Sequence, residues 1–405
     1  MKKLIAILSA MTLLLGVICL GGCQTPETPG RVYFINMRPE ADETWQKLAQ
    51  TYTESTGVEV KVVSVDPDSY YAEVVAAMNS DWAPSVFQCV DAEDLKRWEG
   101  YAMDLTETAV YKACDARGFD LKDEQGKVRG IGYAYQVYGI VVNTALLTLA
   151  GYTVEEITDF ESLKAVAEDI TARQEELGFS AFASSGVDGN IIRQMINLPL
   201  YYSRKTGEDV SLELYRNMWD LYLQNGSCDM EQLENQTALH GYNDFTTGKA
   251  VFYHSDAAVY DRLLTSGMKA EELTMIPLYC GAEGEEQAGL CCGTEDYLVV
   301  NAKASEKDQA ATLKFLEWVA TSDFSLETLA REFGGVAFKK AKVPENVFFH
   351  AAGDLYEAEK YTVTWEHKQL VRSDNWNDSF MIALQAYSLG QADWAEVEEA
   401  FANCK

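Results

Sequence analysis

Histidine is scarce in this sequence, and the spacings that metal sites require are missing. Zinc is held by closely spaced cysteine and histidine side chains, yet the chain contains neither C-x-x-C nor H-E-x-x-H. We therefore predict no metal site and no cofactor. The only histidines among the 405 residues are scattered, at His240, His254, His350 and His367.

Positive charge is also in short supply. Lysine and arginine number 33 against 63 aspartates and glutamates, so the formal net charge is −30. A chain this acidic repels nucleic acid and anionic membrane surfaces, which excludes nucleic acid as a partner. The same field favours neutral or cationic ligands, unless a local positive group such as Arg38 or Arg193 overrules it.

Common catalytic motifs are absent. The sequence contains no G-x-S-x-G and no G-x-x-x-x-G-K-[ST], which removes the serine hydrolase and P-loop signatures. A glycosidase needs only two carboxylates that flank the glycosidic bond, so a glycosidase stays open as the enzyme alternative. We predict that the protein is not an enzyme.

Long apolar runs are absent except at the N-terminus. Lys2 and Lys3 are followed there by an apolar stretch over 4–20. A basic start followed by such a stretch is typical of a secretory signal. No other segment approaches the roughly 18 apolar residues of a transmembrane helix.

The residues after the apolar stretch, Leu-Gly-Gly-Cys at 20–23, resemble a bacterial lipobox. The resemblance implies cleavage before Cys23 and lipid on its thiol; an ordinary signal peptide with an incidental cysteine is the alternative. We predict a signal peptide over 1–22 and a Pro-rich tether over 23–30. The protein would then be anchored by lipid to the extracytoplasmic face of the cell membrane.

Cysteine usage does not indicate a disulfide framework. Without Cys19 and the lipidated Cys23, seven of the nine cysteines remain, which is an odd number. We interpret them as buried thiols that act as small hydrophobic side chains. A disulfide between Cys280 and Cys291 is the alternative.

The first part of the mature chain alternates between strand and helix patterns. This alternation predicts an open parallel sheet, whose ligands bind beyond the carboxyl ends of the strands, here at 36–40 and 88–91. The predicted strands cover 32–36, 58–65 and 86–90, and the predicted helices cover 40–55, 69–78 and 94–98.

Two domains are expected, because removing 22 residues from 405 leaves 383, more than one hydrophobic core usually organises. The apolar segments 133–143 and 297–301 predict strands at which the chain passes between lobes. We predict an N-terminal lobe over 31–139 and 299–345, and a C-terminal lobe over 140–298 and 346–405.

The segment 293–301 combines a polar loop with a buried strand. Glu295 and Asp296 follow Gly293, and the apolar run 297–301 comes next. Ionised carboxylates offer about four acceptor sites each, which suits a ligand rich in hydroxyls or amines. A solvated turn is the alternative.

Seven short motifs occur in an order that resembles a known family. Together they resemble the carbohydrate-binding lipoproteins of bacterial ABC importers, the extracellular solute-binding family that includes maltose-binding proteins. The resemblance spans almost the whole mature chain. Besides the lipobox, its motifs are Trp45-x-x-Leu48 with 52–58, then 83–87, 104–106, 138–143, 245–250 and 293–297.

The resemblance implies an α/β fold of two lobes joined by hinge strands, with an interlobe cleft that holds a sugar. It also implies a monomer that delivers the sugar to the transmembrane subunits of an ABC permease. The sugar's identity stays open, because 254–258 and 292–293 depart from the family pattern. By position, the implied ligand-binding residues are Asn36, Arg38, Glu40, Asp91, Ser255, Asp256, Gly293, Thr294, Glu295 and Trp376.

Trp376 is the aromatic residue that fits a sugar site best. It lies between two polar pairs, just before a helix predicted from residue 379, and such surroundings are awkward for a core tryptophan. Trp365 is a second candidate, whereas Trp45 and Trp318 lie on apolar helical stripes and are predicted to be core. A core position for Trp376 is the alternative.

A different ligand on the same fold is the remaining alternative. An acidic sugar would be held by Arg38 or Arg193 as a bidentate fork, and an amino-sugar or polyamine would suit the acidic field. We predict a sugar or oligosaccharide as the ligand.

Overall fold

The computed structural model describes residues 30–115, 118–186, 189–294, 296–364 and 374–403, with backbone alone at 189–197, 230–231, 234, 374–378 and 381. The strands are β1 Val32–Asn36, β2 Val60–Ser64, β3 Val86–Cys89, β4 Asp120–Lys122, β5 Val128–Ile131, β6 Ala134–Asn143, β7 Ser180–Phe182, β8 Ala250–Asp256, β9 Leu273–Ile276, β10 Ala288–Gly293, β11 Tyr297–Val300, β12 Gly335–Val336 and β13 Tyr361–Thr364.

The helices are α1 Asp42–Thr56, α2 Tyr70–Met78, α3 Ala92–Arg97, α4 Ala109–Ala113, α5 Thr144–Leu149, α6 Phe160–Ala172, α7 Gln174–Leu177, α8 Gly189–Thr206, α9 Leu212–Gln224, α10 Ala238–Thr246, α11 Tyr260–Thr265, α12 Glu306–Thr321, α13 Asp323–Phe333, α14 Val347–Glu357, α15 Asp374–Ser388 and α16 Trp394–Asn403. Within the described part of the chain, no helix combines the length and apolar character needed to cross a membrane.

The first sheet has the strand order β2-β1-β3-β11-β5-β4. Strands β2, β1 and β3 are parallel, as the alternating pattern predicts, whereas β11 and the β4–β5 hairpin add antiparallel strands. Every residue of β1 is buried, because helices cover both faces of this sheet. Phe34 packs with Trp45 of α1 on one face, and Ile35 packs with Trp98 on the other.

The second sheet has the order β13-β10-β6-β8-β7, and β9 and β12 also pair with β6. The ten-residue strand β6 is therefore its central element. Gly139 lies where β9 approaches closely: a Cβ there would lie 2.5 Å from the Ile276 carbonyl oxygen, so a larger residue would push the strands apart.

The chain passes between the two sheets at three places. It leaves β5 for β6 at 131–134, returns from β10 to β11 at 293–297, and reaches the second sheet again through β12, which pairs with β6. The two-lobed α/β fold is confirmed. The predicted lobe boundaries stay predictions; the boundaries at 139/140 and 298/299 fall inside β6 and β11.

Two local expectations need correction. The helix predicted from residue 379 begins five residues earlier, at Asp374, so the backbone of Trp376 is helical and does not form a loop. The alternative of a disulfide between Cys280 and Cys291 is wrong, because both cysteines are free and buried. The core position of Trp45 is confirmed, and Trp318 packs half-buried against the same cluster.

Candidate functional site

Strand ends from both sheets meet near the first two crossings. In the first sheet, β1 leads into Arg38 and Glu40, and β11 begins directly after Asp296. In the second sheet, Gly293 at the end of β10 pairs with Gln136 near the start of β6. Two sheets thus present strand ends to one region, which is where open α/β folds bind ligands.

A buried network ties the end of β1 to the second crossing. The Arg38 guanidinium donates from Nε to Oδ2 of Asp296 at 2.8 Å. Gln88 of β3 donates from Nε2 to Oδ1 of the same carboxylate at 2.6 Å, and the Tyr133 hydroxyl reaches Oδ2 at 3.4 Å. The loop after β1 is also fixed, because Asn36 Nδ2 donates to the Arg38 carbonyl oxygen at 2.6 Å. Arg38 is therefore held at both its main chain and its side chain.

Asp296 titrates under opposing influences. Burial raises the pKa of its carboxyl above the usual value, while Arg38 and the hydrogen bonds from Gln88 and Tyr133 act to lower it. Asp296 stands out in the sequence as part of the Glu295-Asp296 pair, but it is absent from the predicted binding residues. Its role depends on partners far away in the chain.

A cavity of about 160 Å³ lies against this network. It brings together three of the predicted binding residues, Arg38, Glu40 and Thr294. Its floor and walls also include residues that the sequence did not single out, among them Tyr133, Gln136, Glu332 and Phe333.

A second cavity, of about 520 Å³, adjoins the first and shares Gln136, Glu332 and Phe333 with it. It extends toward Ala257 and Asp261, which follow β8 of the second sheet. The two cavities together fall in the range of about 300–1,000 Å³ that small-molecule sites occupy. Their lining comes from residues on both sides of the crossings, and we call the two cavities together the crossing cleft.

Gln136 is the polar residue of the crossing cleft with an unused acceptor. Its Nε2 donates to the Phe333 carbonyl oxygen at 3.1 Å, but its buried Oε1 has no hydrogen-bond partner among the described residues. An unsatisfied buried acceptor costs free energy unless a ligand supplies a donor. The only sequence signal for Gln136 is its place within the predicted strand 133–143.

Five predicted binding residues line neither cavity of the crossing cleft. Asp91 accepts the Asp94 amide at 2.7 Å as the N-cap of α3, and Asp256 accepts the Ala258 amide at 3.0 Å. Their side chains therefore serve the local backbone. The other three are Asn36, fully buried at the end of β1, Ser255, beside Asp256 on β8, and Gly293, buried at the end of β10.

Four predicted residues and one alternative fall wholly or partly outside the described part of the chain. Glu295 and Cys23 lie outside the described residues, as does Trp365. The side chains of Trp376 and Arg193 also lie outside them, although the backbone at both positions is helical. Their assignments stay predictions.

The crossing cleft is acidic. Its carboxylates outnumber its two guanidinium groups, and the Arg38 charge is already balanced by Asp296. An anionic ligand is therefore disfavoured at this site. The charged lining residues are Glu40, Asp261, Asp296, Glu332 and Glu345 against Arg38 and Arg331.

Two other cavities lie away from the crossings. One, of about 510 Å³, is lined by residues of α6, α9 and α16 such as Lys164 and Asn217. The other, of about 680 Å³, lies between α3 and the β4–β5 hairpin. Each draws its lining from one sheet and its helices, so neither joins the two sheets as the crossing cleft does. No group of histidine, cysteine and carboxylate side chains that could hold a metal ion occurs among the described residues.

Residues 47–355 match the family model described as bacterial extracellular solute-binding protein. The chain belongs to this family of solute-binding proteins. The match covers most strands of both sheets and most of the residues that line the crossing cleft.

Solved solute-binding proteins share the fold at low sequence identity. A family 1 extracellular solute-binding protein from Bifidobacterium longum subsp. infantis is 15% identical with a TM-score of 0.67, covering 93% of this chain and 99% of that one. RafE from Streptococcus pneumoniae is 16% identical with a TM-score of 0.68, covering 94% and 98%. A probable secreted solute-binding lipoprotein from Streptomyces coelicolor is 17% identical with a TM-score of 0.68, covering 93% and 99%. A search of curated proteins finds no match.

Proposed function

We propose that this solute-binding protein captures a sugar or oligosaccharide outside the cell and delivers it to an ABC permease. The observation that carries the proposal is the crossing cleft, whose lining brings Gln136, with its unpaired acceptor, together with Arg38, Glu332 and the aromatic residue Phe333. Sugars present hydroxyl donors and acceptors at their edges and apolar C–H groups on their faces. A few placed polar groups beside an aromatic ring suit both.

Proteins of the same fold support a sugar as the ligand. RafE has been solved in complex with raffinose, and AcbH shows an exclusive preference for β-D-galactopyranose. GacH has been solved in complex with acarbose. Since identities are below 20%, these ligands indicate a chemical class and leave the particular sugar open.

The charge of the crossing cleft separates the remaining ligand classes. Because Asp296 pairs with Arg38, an acidic sugar finds no uncompensated positive charge on that side chain. An amino-sugar or polyamine is the second candidate, since the carboxylates of Glu40, Glu332 and Asp261 would attract an ammonium group. A neutral sugar carries no charge that the site must balance, so hydrogen bonds are sufficient polar contacts for its binding.

A thermal-shift screen tests the ligand class. The panel contains neutral mono- and oligosaccharides, the matching uronic acids, amino-sugars and polyamines, and titration calorimetry confirms each hit. A sugar at 100 times its dissociation constant should stabilise the native state by about 2.7 kcal/mol. Binding of polyamines alone would replace the proposal with the second candidate, and turnover of a glycoside would identify an enzyme.

Ligand-driven closure is part of the proposal. The two sheets are joined by short crossings, and a few residues in such segments can absorb the rotation of one lobe against the other, as in the hinge closure of periplasmic binding proteins around their ligands. Small-angle scattering should show a more compact protein when a saturating sugar is added. Identical curves with and without that sugar would contradict the hinge.

The membrane anchor is proposed from the lipobox at 20–23. The described chain begins at Gly30. The backbone amide of the next residue, Arg31, donates to Asp308 Oδ1 at 2.7 Å, and the Arg31 guanidinium lies 4.1 Å from the Trp82 ring centroid. Because β1 starts here and the crossing cleft lies at its other end, the tether would leave the edge opposite the ligand.

Cys23→Ser should abolish lipidation and release the protein from membranes, and unchanged membrane fractionation of a processed product would contradict the anchor. Size-exclusion chromatography tests the predicted monomer.

A further inference from the structure

Phe333 is the aromatic residue shared by both cavities of the crossing cleft. It is the last residue of α13 and is half-buried. The helix ends there because Gly334 takes a φ of +76°, which favours glycine, and donates its amide to the Ala330 carbonyl oxygen. The sequence offers no signal for Phe333, since a phenylalanine at a helix end usually packs into the core.

Two contacts hold Phe333 in place. Its ring centroid lies 5.3 Å from that of Tyr133, at an interplanar angle of 77°. Tyr133 is itself buried and bonded through its hydroxyl to the Gln88 and Asp296 network. The Phe333 carbonyl oxygen accepts from Gln136 Nε2. The ring is thus backed by a fixed aromatic residue, and Phe333 lines both cavities.

We propose that Phe333 is the aromatic platform on which a pyranose ring packs in the crossing cleft. The inference rests on the proposed function, and it assigns the apolar contact of that site to a named residue. A phenylalanine ring offers a rigid apolar face with negative electrostatic potential, which suits the C–H face of a sugar. Gln136 Oε1, Glu332 and Arg38 surround the same space and suit the hydroxyl edge.

A purely structural role for Phe333 would predict a different effect of its substitution on stability and affinity. Its ring also packs against the apolar cluster that contains Trp45 and Leu329. If packing were its whole role, removing the ring would lower the free energy of unfolding and leave the affinity of the folded protein unchanged. Stability and affinity must therefore be measured on the same variants.

The experiment compares Phe333→Leu and Phe333→Trp with the wild type by titration calorimetry and urea unfolding. The probes are raffinose, D-galactose, maltose and N,N′-diacetylchitobiose. Phe324→Leu, at the other end of α13 and 38% exposed, is the matched control. By analogy with bases stacked on aromatic side chains, Phe333→Leu should weaken binding roughly 5- to 150-fold. Phe333→Trp should retain affinity within a few-fold, and Phe324→Leu should match the wild type.

Three other outcomes would contradict the proposed function or the proposed role of Phe333. If the wild type binds neither these four probes nor any sugar of the thermal-shift panel, the proposed sugar-binding function and the platform both fall. If the wild type binds a probe and Phe333→Leu binds it equally well, only the platform falls. If Phe333→Leu and Phe333→Trp lose stability while the folded fraction keeps its affinity, Phe333 is a packing residue.

Discussion

Arg38 and Asp296 lie 258 positions apart in the chain and form an ion pair with 2.8 Å between Nε and Oδ2. The pair joins the loop after β1 to the segment through which the chain returns from the second sheet to the first. Gln88 and Tyr133 bond to the same carboxylate. A wall of the crossing cleft and a crossing segment therefore belong to one hydrogen-bonded network.

Removing Arg38 should destabilise the protein in a pH-dependent way. Arg38→Met leaves the Asp296 carboxylate buried without its charged partner, which costs about 3–5 kcal/mol. Burial already raises the pKa of Asp296, and loss of Arg38 raises it further, so the folded state holds this proton more tightly than the unfolded state. Stability from such a group is present at low pH and lost as pH rises.

Urea unfolding of Arg38→Met at pH 5 and pH 8 checks this prediction. The deficit relative to the wild type should be larger at pH 8. The double variant Arg38→Met/Asp296→Asn is the control, because it lacks the buried carboxylate and should lose the extra pH dependence. Equal deficits of Arg38→Met at both pH values would show that Asp296 is not held as a buried charge.

Gln136 should contribute to ligand affinity more than to stability. Gln136→Leu removes the open acceptor Oε1 together with the bond from Nε2 to the Phe333 carbonyl oxygen. A neutral hydrogen bond contributes about 0.5–1.5 kcal/mol, so affinity for the sugar found in the screen should fall by up to about tenfold. Gln125→Leu, beside the cavity at the β4–β5 hairpin, should leave affinity unchanged. Unaltered affinity in Gln136→Leu would remove Gln136 from the site.

Trp376 remains a predicted ligand residue, now located on α15. Trp376→Ala should weaken sugar binding by about 1–3 kcal/mol, or roughly 5- to 150-fold, with little loss of stability. Trp394→Ala is the control for a core tryptophan, because Trp394 is buried against Tyr387 and its loss should cost roughly 3–5 kcal/mol of unfolding free energy. If calorimetry and denaturation show Trp376→Ala behaving like Trp394→Ala with its affinity intact, Trp376 belongs to the core.

His254 should make the protein acid-sensitive. It stacks on Phe182 and meets Tyr222 edge-on, and this burial lowers the pKa of His254 from 6.5 to about 4. Below pH 6.5 His254 becomes protonated in the unfolded chain, whereas in the folded protein it stays neutral until about pH 4. The free energy of unfolding therefore falls as pH falls. The contribution should reach about 2–3 kcal/mol by pH 4.5.

Urea unfolding of His254→Phe between pH 7 and pH 4.5 measures that contribution. The variant should lose less stability than the wild type on acidification, by about the same 2–3 kcal/mol. His350→Phe, on the exposed side of α14, is the control and should follow the wild type. Parallel pH curves for His254→Phe and the wild type would contradict the buried neutral histidine.

Glu285 should be among the most sensitive loop positions, because its buried carboxylate accepts four backbone amides. Phe160 donates to Oε1 at 2.7 Å, and Oε2 accepts from Cys280, Gly281 and Ala282 at 2.8, 2.9 and 3.2 Å. Glu285→Ala should cost at least about 3 kcal/mol, because those amides lose a charged acceptor. Denaturation of Glu286→Ala, whose side chain is exposed, should change stability by less than about 0.5 kcal/mol. A similarly small change in Glu285→Ala would contradict this anchoring role.

The sequence alone was sufficient where local signals decide the structure. Strand β1 has the predicted bounds, and helix α2 begins within one residue of its predicted start, because apolar periodicity acts within a few residues. Strands β10 and β13 were missed. Glycine, cysteine and lone polar residues in these segments carry little strand propensity, and pairing across the second sheet decides their conformation.

The residues of the candidate site also differ in whether local sequence signals point to them. Position beside a predicted strand, together with the family resemblance, selects Arg38, Glu40 and Thr294, which line the first cavity, and their ligand-binding role stays a prediction. Asp296, Gln136 and Phe333 acquire their roles from contacts with partners 163 to 258 positions away, as between Asp296 and Tyr133, Gln136 and Phe333, or Arg38 and Asp296. Such contacts cannot be foreseen from the sequence, since burial and unpaired acceptors arise when distant segments pack together.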